Sequence, residues 1–222
     1  MLKRIGIVSA LAWMMLAGQA LATPIALNPT ADVYMRTFGG DFVDTTSDRL
    51  NFSQSGGSVT NGVLEFDVSV IPDTATVNSA SLEVTQVDFT SNTGSTANVH
   101  IYGYVGDGTL DIRDFAATGT LVYTGTIGAG GGGVGRTGGT VLNFNLTDLT
   151  PIVNSLASNK LTLRLESDNF AIVRFASLEN QTYHPAELTI DYTASTVPVP
   201  GALAFAATSI AVLGLVARRQ QH

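Results

Sequence analysis

Few residues of this 222-residue chain have the type and spacing for chemistry. There are three histidines and no cysteine, so a catalytic dyad or a zinc site would have to be built from His100, His184 and carboxylates. His100 falls on the outward side of an alternating stretch and His184 precedes Pro185 in a loop, so both read as surface or hydrogen-bonding histidines before catalytic ones. A pair of carboxylates could hydrolyse a glycoside. Most acids here sit in turns, where Asp bonds its own backbone, and solvated loop acids are the default reading. Two groups have the character of a hard-cation site, because calcium takes several oxygen ligands from acidic loops. They are Asp41, Asp44 and Asp48, and then Asp107, Asp111 and Asp114, neither at EF-hand spacing. Structural calcium is the one cofactor these groups suggest. A sugar ring packs on a flat aromatic surface, and Tyr102 and Tyr104, beside His100, share one strand face. That stripe reads either as a glycan platform or as an ordinary cross-strand aromatic pair. The single Trp, Trp13, lies near the N-terminus, outside the region that folds.

The segments that must position these residues alternate with period two and are bounded by Gly, Pro, Asn or Asp. Strands are predicted at Ala31–Arg36, Leu50–Phe52, Gly62–Val68, Thr76–Val87, Ala97–Val105, Leu121–Ile127, Val141–Leu146, Lys160–Glu166, Ala171–Ser177 and Ala186–Tyr192. In Gly62–Val68, Leu64, Phe66 and Val68 form the core face, with Val63, Glu65 and Asp67 opposite. In Ala97–Val105, Val99, Ile101, Gly103 and Val105 point inward. Eight glycines in the twelve residues Gly128–Gly139 read as a hairpin connection; Arg136-Thr137 is not the Lys-Ser/Thr pair of a phosphate loop. One helix is predicted over Asp148–Ser158, with Thr147, Asp148 and Thr150 as N-cap candidates, Pro151 in the first turn and Asn159 as its end. Roughly ten strands and one helix predict an all-β sandwich of jelly-roll type.

Both ends read as addresses. Lys3 and Arg4, an apolar run and then Ala20-Leu21-Ala22 make residues 1–22 a secretory signal peptide, cut by signal peptidase before Thr23. Residues 197–222 carry Val197-Pro198-Val199-Pro200, an apolar stretch over 201–217, and Arg218-Arg219. As a helix that stretch would be about 25 Å long, against about 30 Å of hydrocarbon. Apolar on every side, it suits transient insertion in the cytoplasmic membrane, with the arginines held inside. Residues 23–196 form the domain. All 18 acids lie there with seven of the eleven basic residues, a formal charge near −11 that repels nucleic acid.

The tail resembles the PEP-CTERM sorting signal of exported proteins in Gram-negative bacteria that make extracellular polysaccharide, with Val199 where that motif has its central Glu. The resemblance implies an exosortase-like sorting enzyme as partner. The domain, through ADVYMR, GVLEFDVSVIPDTATVNSASLEV, FNLTDLTPIVNSLASNKLTLRLES and FASLENQTYHPAELTIDY, resembles the DNRLRE domain. That is a β-sandwich related to carbohydrate-binding modules, and Asp48-Arg49-Leu50 keeps part of its signature. Together they imply an exported, non-enzymatic protein of the cell surface or extracellular matrix, associated with exopolysaccharide. The alternatives are a stand-alone glycan-binding module and a small polysaccharide-active enzyme.

Overall fold

The computed structural model describes residues 22–195 except 56, 92–95, 129–137 and 170. Ala20 and the tail residues Val197, Pro198, Val199, Pro200, Arg218 and Arg219 lie outside the described residues, as does most of the glycine-rich loop.

Among the described residues twelve strands run in chain order: β1 (Ala22–Leu27), β2 (Pro29–Arg36), β3 (Phe42–Asp44), β4 (Arg49–Ser55), β5 (Ser58–Asp67), β6 (Thr76–Ser91), β7 (Thr96–Val105), β8 (Thr120–Gly128), β9 (Thr140–Asn145), β10 (Lys160–Glu166), β11 (Ala171–Ala176) and β12 (Glu187–Thr193). Every pairing between them is antiparallel. The domain is thus an all-β, jelly-roll-type sandwich. One layer runs β3-β2-β5-β10-β7-β8; in the other, the long β6 carries β9 on one edge and β11 and β12 on the other, backed by β4 and β1. The corner between the layers is the β4–β5 hairpin. β4 pairs with β5 only at Ser53 to Thr60 and Ser55 to Ser58, then leaves to pair with β11 while β10 takes its place.

Alternation explains the core. Leu64 and Phe66 of β5, Leu161, Leu163 and Leu165 of β10 and Ile101 of β7 meet Phe52, Leu82, Phe144, Phe175 and Leu188 of the facing layer. Phe175 contacts both Phe52 and Phe144, at ring-centroid distances of 5.1 and 6.1 Å, the spacing of tilted aromatic pairs. The helix α1 (Thr150–Ser155) has Pro151 in its first turn. Its N-cap is Leu149, which makes no side-chain cap; Asp148 Oδ1 instead accepts the Thr150 N–H at 2.9 Å. The helix is shorter than the expected Asp148–Ser158: it ends at Ser155, and turns lead on to Asn159, whose φ is 63°, a conformation Asn tolerates better than most residues.

Three expectations are corrected. Glycine-rich residues 128–139 do not close a hairpin, because β8 pairs with β7 in one layer and β9 with β6 in the other. Val105 is 45% exposed rather than inward, since β7 ends there and the chain turns at Gly106. The outer face of β5 is covered: Val63 joins Val33 and Met35 in a second apolar cluster, closed by Leu110, Ile112 and Phe115. That cover is a strap, residues 106–119, which includes a 3₁₀ turn at Ile112–Ala116. Strands β1 and β3 were not evident, being short or mostly exposed.

Candidate functional site

The strap and the β5, β10 and β7 surface beneath it form a cluster of polar contacts. Period two puts Glu65, Thr162, Arg164, Tyr102 and Tyr104 on this outer face, and the registers Thr162 to Glu65, Thr162 to Tyr104 and Arg164 to Tyr102 align them. Arg164 is buried, with Nε 2.6 Å from Glu166 Oε1, and Nη1 donates to the carbonyls of Asp114 and Ala117 at 3.2 and 2.6 Å. Its guanidinium also lies 5.2 Å from the centre of the Tyr102 ring. Asn61 Nδ2 donates to the Phe115 carbonyl. Together these hold the strap down.

The proposed glycan stripe therefore has company. The Tyr104 hydroxyl donates to Asp114 Oδ1 at 3.0 Å, and burial, followed by the Asp114 charge, pushes its pKa well above the ordinary phenol value. Beside Tyr104 lies an open depression of about 240 Å³, lined among others by Thr118, Gly119, Thr120, Pro151 and Asn154. His100 is separate in its contacts. Its Nδ1 meets Thr124 Oγ1 at 3.2 Å, and its Nε2 lies at ion-pair distance, 3.2 Å, from Asp168 Oδ2. Asp168 also accepts from Asn98 Nδ2 at 2.7 Å, the largest cause holding its carboxyl below the ordinary range. A hydroxyl, an imidazole and a carboxylate in line have the composition of a hydrolytic triad. The order differs from the serine-hydrolase arrangement, where the nucleophile meets Nε2 and the acid Nδ1. His184 is exposed between β11 and β12.

The acids singled out for calcium are committed locally. Asp111 Oδ1 accepts the Arg113 N–H while Asp114 Oδ2 accepts the Asp111 N–H, a reciprocal capping box on the 3₁₀ turn. Arg113 Nη2 lies 2.6 Å from Asp111 and 3.8 Å from Asp107, and Asp107 caps the Thr109 N–H. Asp44 Oδ1 accepts from the Thr46 N–H, its hydroxyl and the Ser47 N–H, and the Thr46 N–H is the largest cause lowering its pKa. Asp48 pairs with Arg49 at 3.5 Å, and Asp41 is exposed. Among the described residues no three metal-ligating side chains converge.

The Asp48-Arg49-Leu50 stretch has a structural explanation. Ser177 Oγ donates to the Ser47 carbonyl at 2.7 Å, Asn180 Nδ2 to the Asp48 carbonyl at 2.8 Å, and Asp88 takes both Arg49 and Arg174. The link between β11 and β12 is thereby tied to the start of β4.

The sequence pattern missed Lys160, Arg164 and Glu166 as site residues. It marks their face as polar, but register across strands brings them to Glu65, Asp67 and the strap.

No protein-family model matches the chain, and no curated protein matches it. Among solved structures, that of infectious bursal disease virus Gx strain aligns at 13% identity with a TM-score of 0.20, over 78% of this chain and 37% of that one. The chain spans little more than a third of that neighbour, and at this score the likeness carries no argument.

Proposed function

We propose that this is an exported, non-enzymatic protein of the cell surface or extracellular matrix, associated with exopolysaccharide and sorted through its tail by an exosortase-like enzyme. The observation that carries the reading is the tail sequence itself: Val197-Pro198-Val199-Pro200, the apolar 201–217, then Arg218-Arg219. The domain geometry supports it. Thr23 is in register with Tyr192 on neighbouring strands, so the first and last strands of the described domain, which the signal peptide and the tail would flank in the chain, lie side by side. Many of its acids are engaged in caps, turns and ion pairs, as suits a domain that presents a surface. The test is cell fractionation with mass spectrometry of both termini. The expected mature protein starts at Thr23, ends near the Val-Pro-Val-Pro segment and is found outside the cytoplasmic membrane. Recovery of residues 201–222 on protein retained in that membrane overturns the reading.

The second reading, a glycan-binding module, is favoured by the depression beside Tyr104. No charged side chain lines it, which suits a neutral sugar. Affinity electrophoresis against neutral polysaccharides is expected to retard the wild type and not the Tyr104→Ala/Asn154→Ala variant. Equal mobility on every polymer removes this reading.

A further inference from the structure

A chain exported without cysteine has no disulfide to staple its strands. At the end of the β5/β10 ladder, Lys160 stands directly opposite Asp67, and Glu65 lies two residues back on the same face of β5. Lys160 Nζ is 3.6 Å from Asp67 Oδ2 and 4.0 Å from Glu65 Oε1. The two acids differ in surroundings: the side chain of Asp67 is 45% exposed and that of Glu65 only 4%. Glu65 Oε2 accepts the Gly108 N–H at 3.1 Å. The buried hydroxyl of Thr162 on the facing strand has no hydrogen-bond partner. A side chain on Gly106 would begin 2.6 Å from that hydroxyl and 3.0 Å from Glu65 Oε2, so glycine lets the strap close over the carboxyl. The Gly106 N–H donates to the Lys160 carbonyl at 2.9 Å, which holds the strap to β10.

An amine, a buried acid and an exposed carboxylate within reach of the amine have the parts needed for condensation. We infer that Lys160 and Glu65 join as an intramolecular amide that cross-links β10 to β5. The Lys160 ammonium gives one proton to the Asp67 carboxylate and becomes a nucleophile. Its nitrogen forms a bond to Cδ of protonated Glu65, and the carbonyl electrons move onto Oε2, where the Gly108 N–H stabilises them. A second proton leaves the nitrogen for Oε1, the C–Oε1 bond breaks and water departs. Asp67, in contact with solvent, releases the proton it holds. The ammonium and the acid thus become an amide, one water and one proton, and no co-reactant is consumed. Burial is the largest cause raising the Glu65 pKa, against the lowering influence of Lys160 and the Gly108 N–H, so Glu65 is protonated more readily than an ordinary glutamate; hydrogen bonds from Ser69 lower the Asp67 pKa and keep it ionised beside the amine. Fixing the partners on paired strands removes the entropic barrier of bringing two molecules together. Burial of the product shields it from hydrolysis.

The test is a peptide map of the purified full chain, denatured, digested with trypsin and sequenced by tandem mass spectrometry. The expected result is a branched peptide joining the Lys160 and Glu65 segments, one water lighter than their sum. It disappears in Lys160→Arg, which keeps the charge and the ion pairs. In Asp67→Asn the branch forms more slowly, still at Glu65. Recovery of Lys160 as a free amine, fully acylated by an amine reagent in denaturant, overturns the inference. A branch at Asp67 overturns the assignment of Glu65 as the acid. The wild-type map is decisive whether or not a variant folds.

Discussion

Asp32 is a carboxylate whose surroundings oppose its charge. It lies on β2, 6% exposed, and its Oδ2 accepts the Leu178 N–H at 2.8 Å. Burial outweighs that hydrogen bond, and Glu179 adds to it, so the pKa rises from 3.8 to about 6. The folded state therefore holds this proton more tightly than the unfolded chain does. The favourable contribution is full below about pH 4 and is lost as pH rises through about 6, amounting to at most about 3 kcal/mol at roughly 1.4 kcal/mol per pKa unit. Asp32→Asn keeps an acceptor for Leu178 and removes the charge. Urea denaturation is expected to find the variant more stable than wild type at pH 7, by up to about 3 kcal/mol, and the gain nearly gone at pH 4. At the same scale, alternation correctly put Glu65 opposite the core face of β5. Its burial was not legible, because the strap that buries it comes from more than forty residues along the chain.

The strap is where local and distant forces meet. Its own turn is set by the Asp111–Asp114 capping box, and its attachment depends on Arg164. Replacing Arg164 by Leu removes the donor to the Ala117 carbonyl and leaves Glu166 and the Asp114 carbonyl only their 3.4 Å bonds from Asn61 Nδ2 and the Ala117 N–H. Removal of one partner from a buried pair costs about 3–5 kcal/mol, less here because Glu166 is partly exposed. The expected outcome is a fall in the urea midpoint and new cleavage in 106–119 on limited proteolysis, with the rest of the domain resistant. A second element contact is close by necessity. A side chain on Gly103 of β7 would start 2.9 Å from Pro151 Cβ on α1 and 3.3 Å from Val122. Pro151 is rigid and buried, so Gly103→Ala is expected to overpack the contact and cost about 1–3 kcal/mol, measured by thermal and urea melts. It would also reshape the depression beside Tyr104.

At the scale of the whole domain, the first strand is completed by the last. β1 pairs with β12 from Ala22–Thr193 to Leu27–Leu188, and Ile25 and Leu27 pack against the core. β1 is made first during synthesis and has to wait for β12, which is made last, so this edge closes only when the domain is complete. Removing residues 23–27 bares the β12 edge and takes two half-buried apolar side chains from the core. The expected loss is about 2 kcal/mol, with concentration-dependent association through the open edge in analytical ultracentrifugation.

The sequence alone determined most of the strands, the inward face of β5, that of β7 up to Gly103, and Pro151 in the helix's first turn. These follow from spacings of two to four residues and from backbone preferences, which need no distant partner. It also marked Asp107, Asp111 and Asp114 as one group without revealing whether they cap turns or wait for an ion. Only the tertiary structure decided which edges meet. It separated β8 from β9, laid the strap over β5, and set Lys160 against Glu65 and Asp67. Glu65 and Lys160 are almost a hundred residues apart, and their meeting depends on strand register. Register is a property of packing the whole sandwich, which no local pattern encodes.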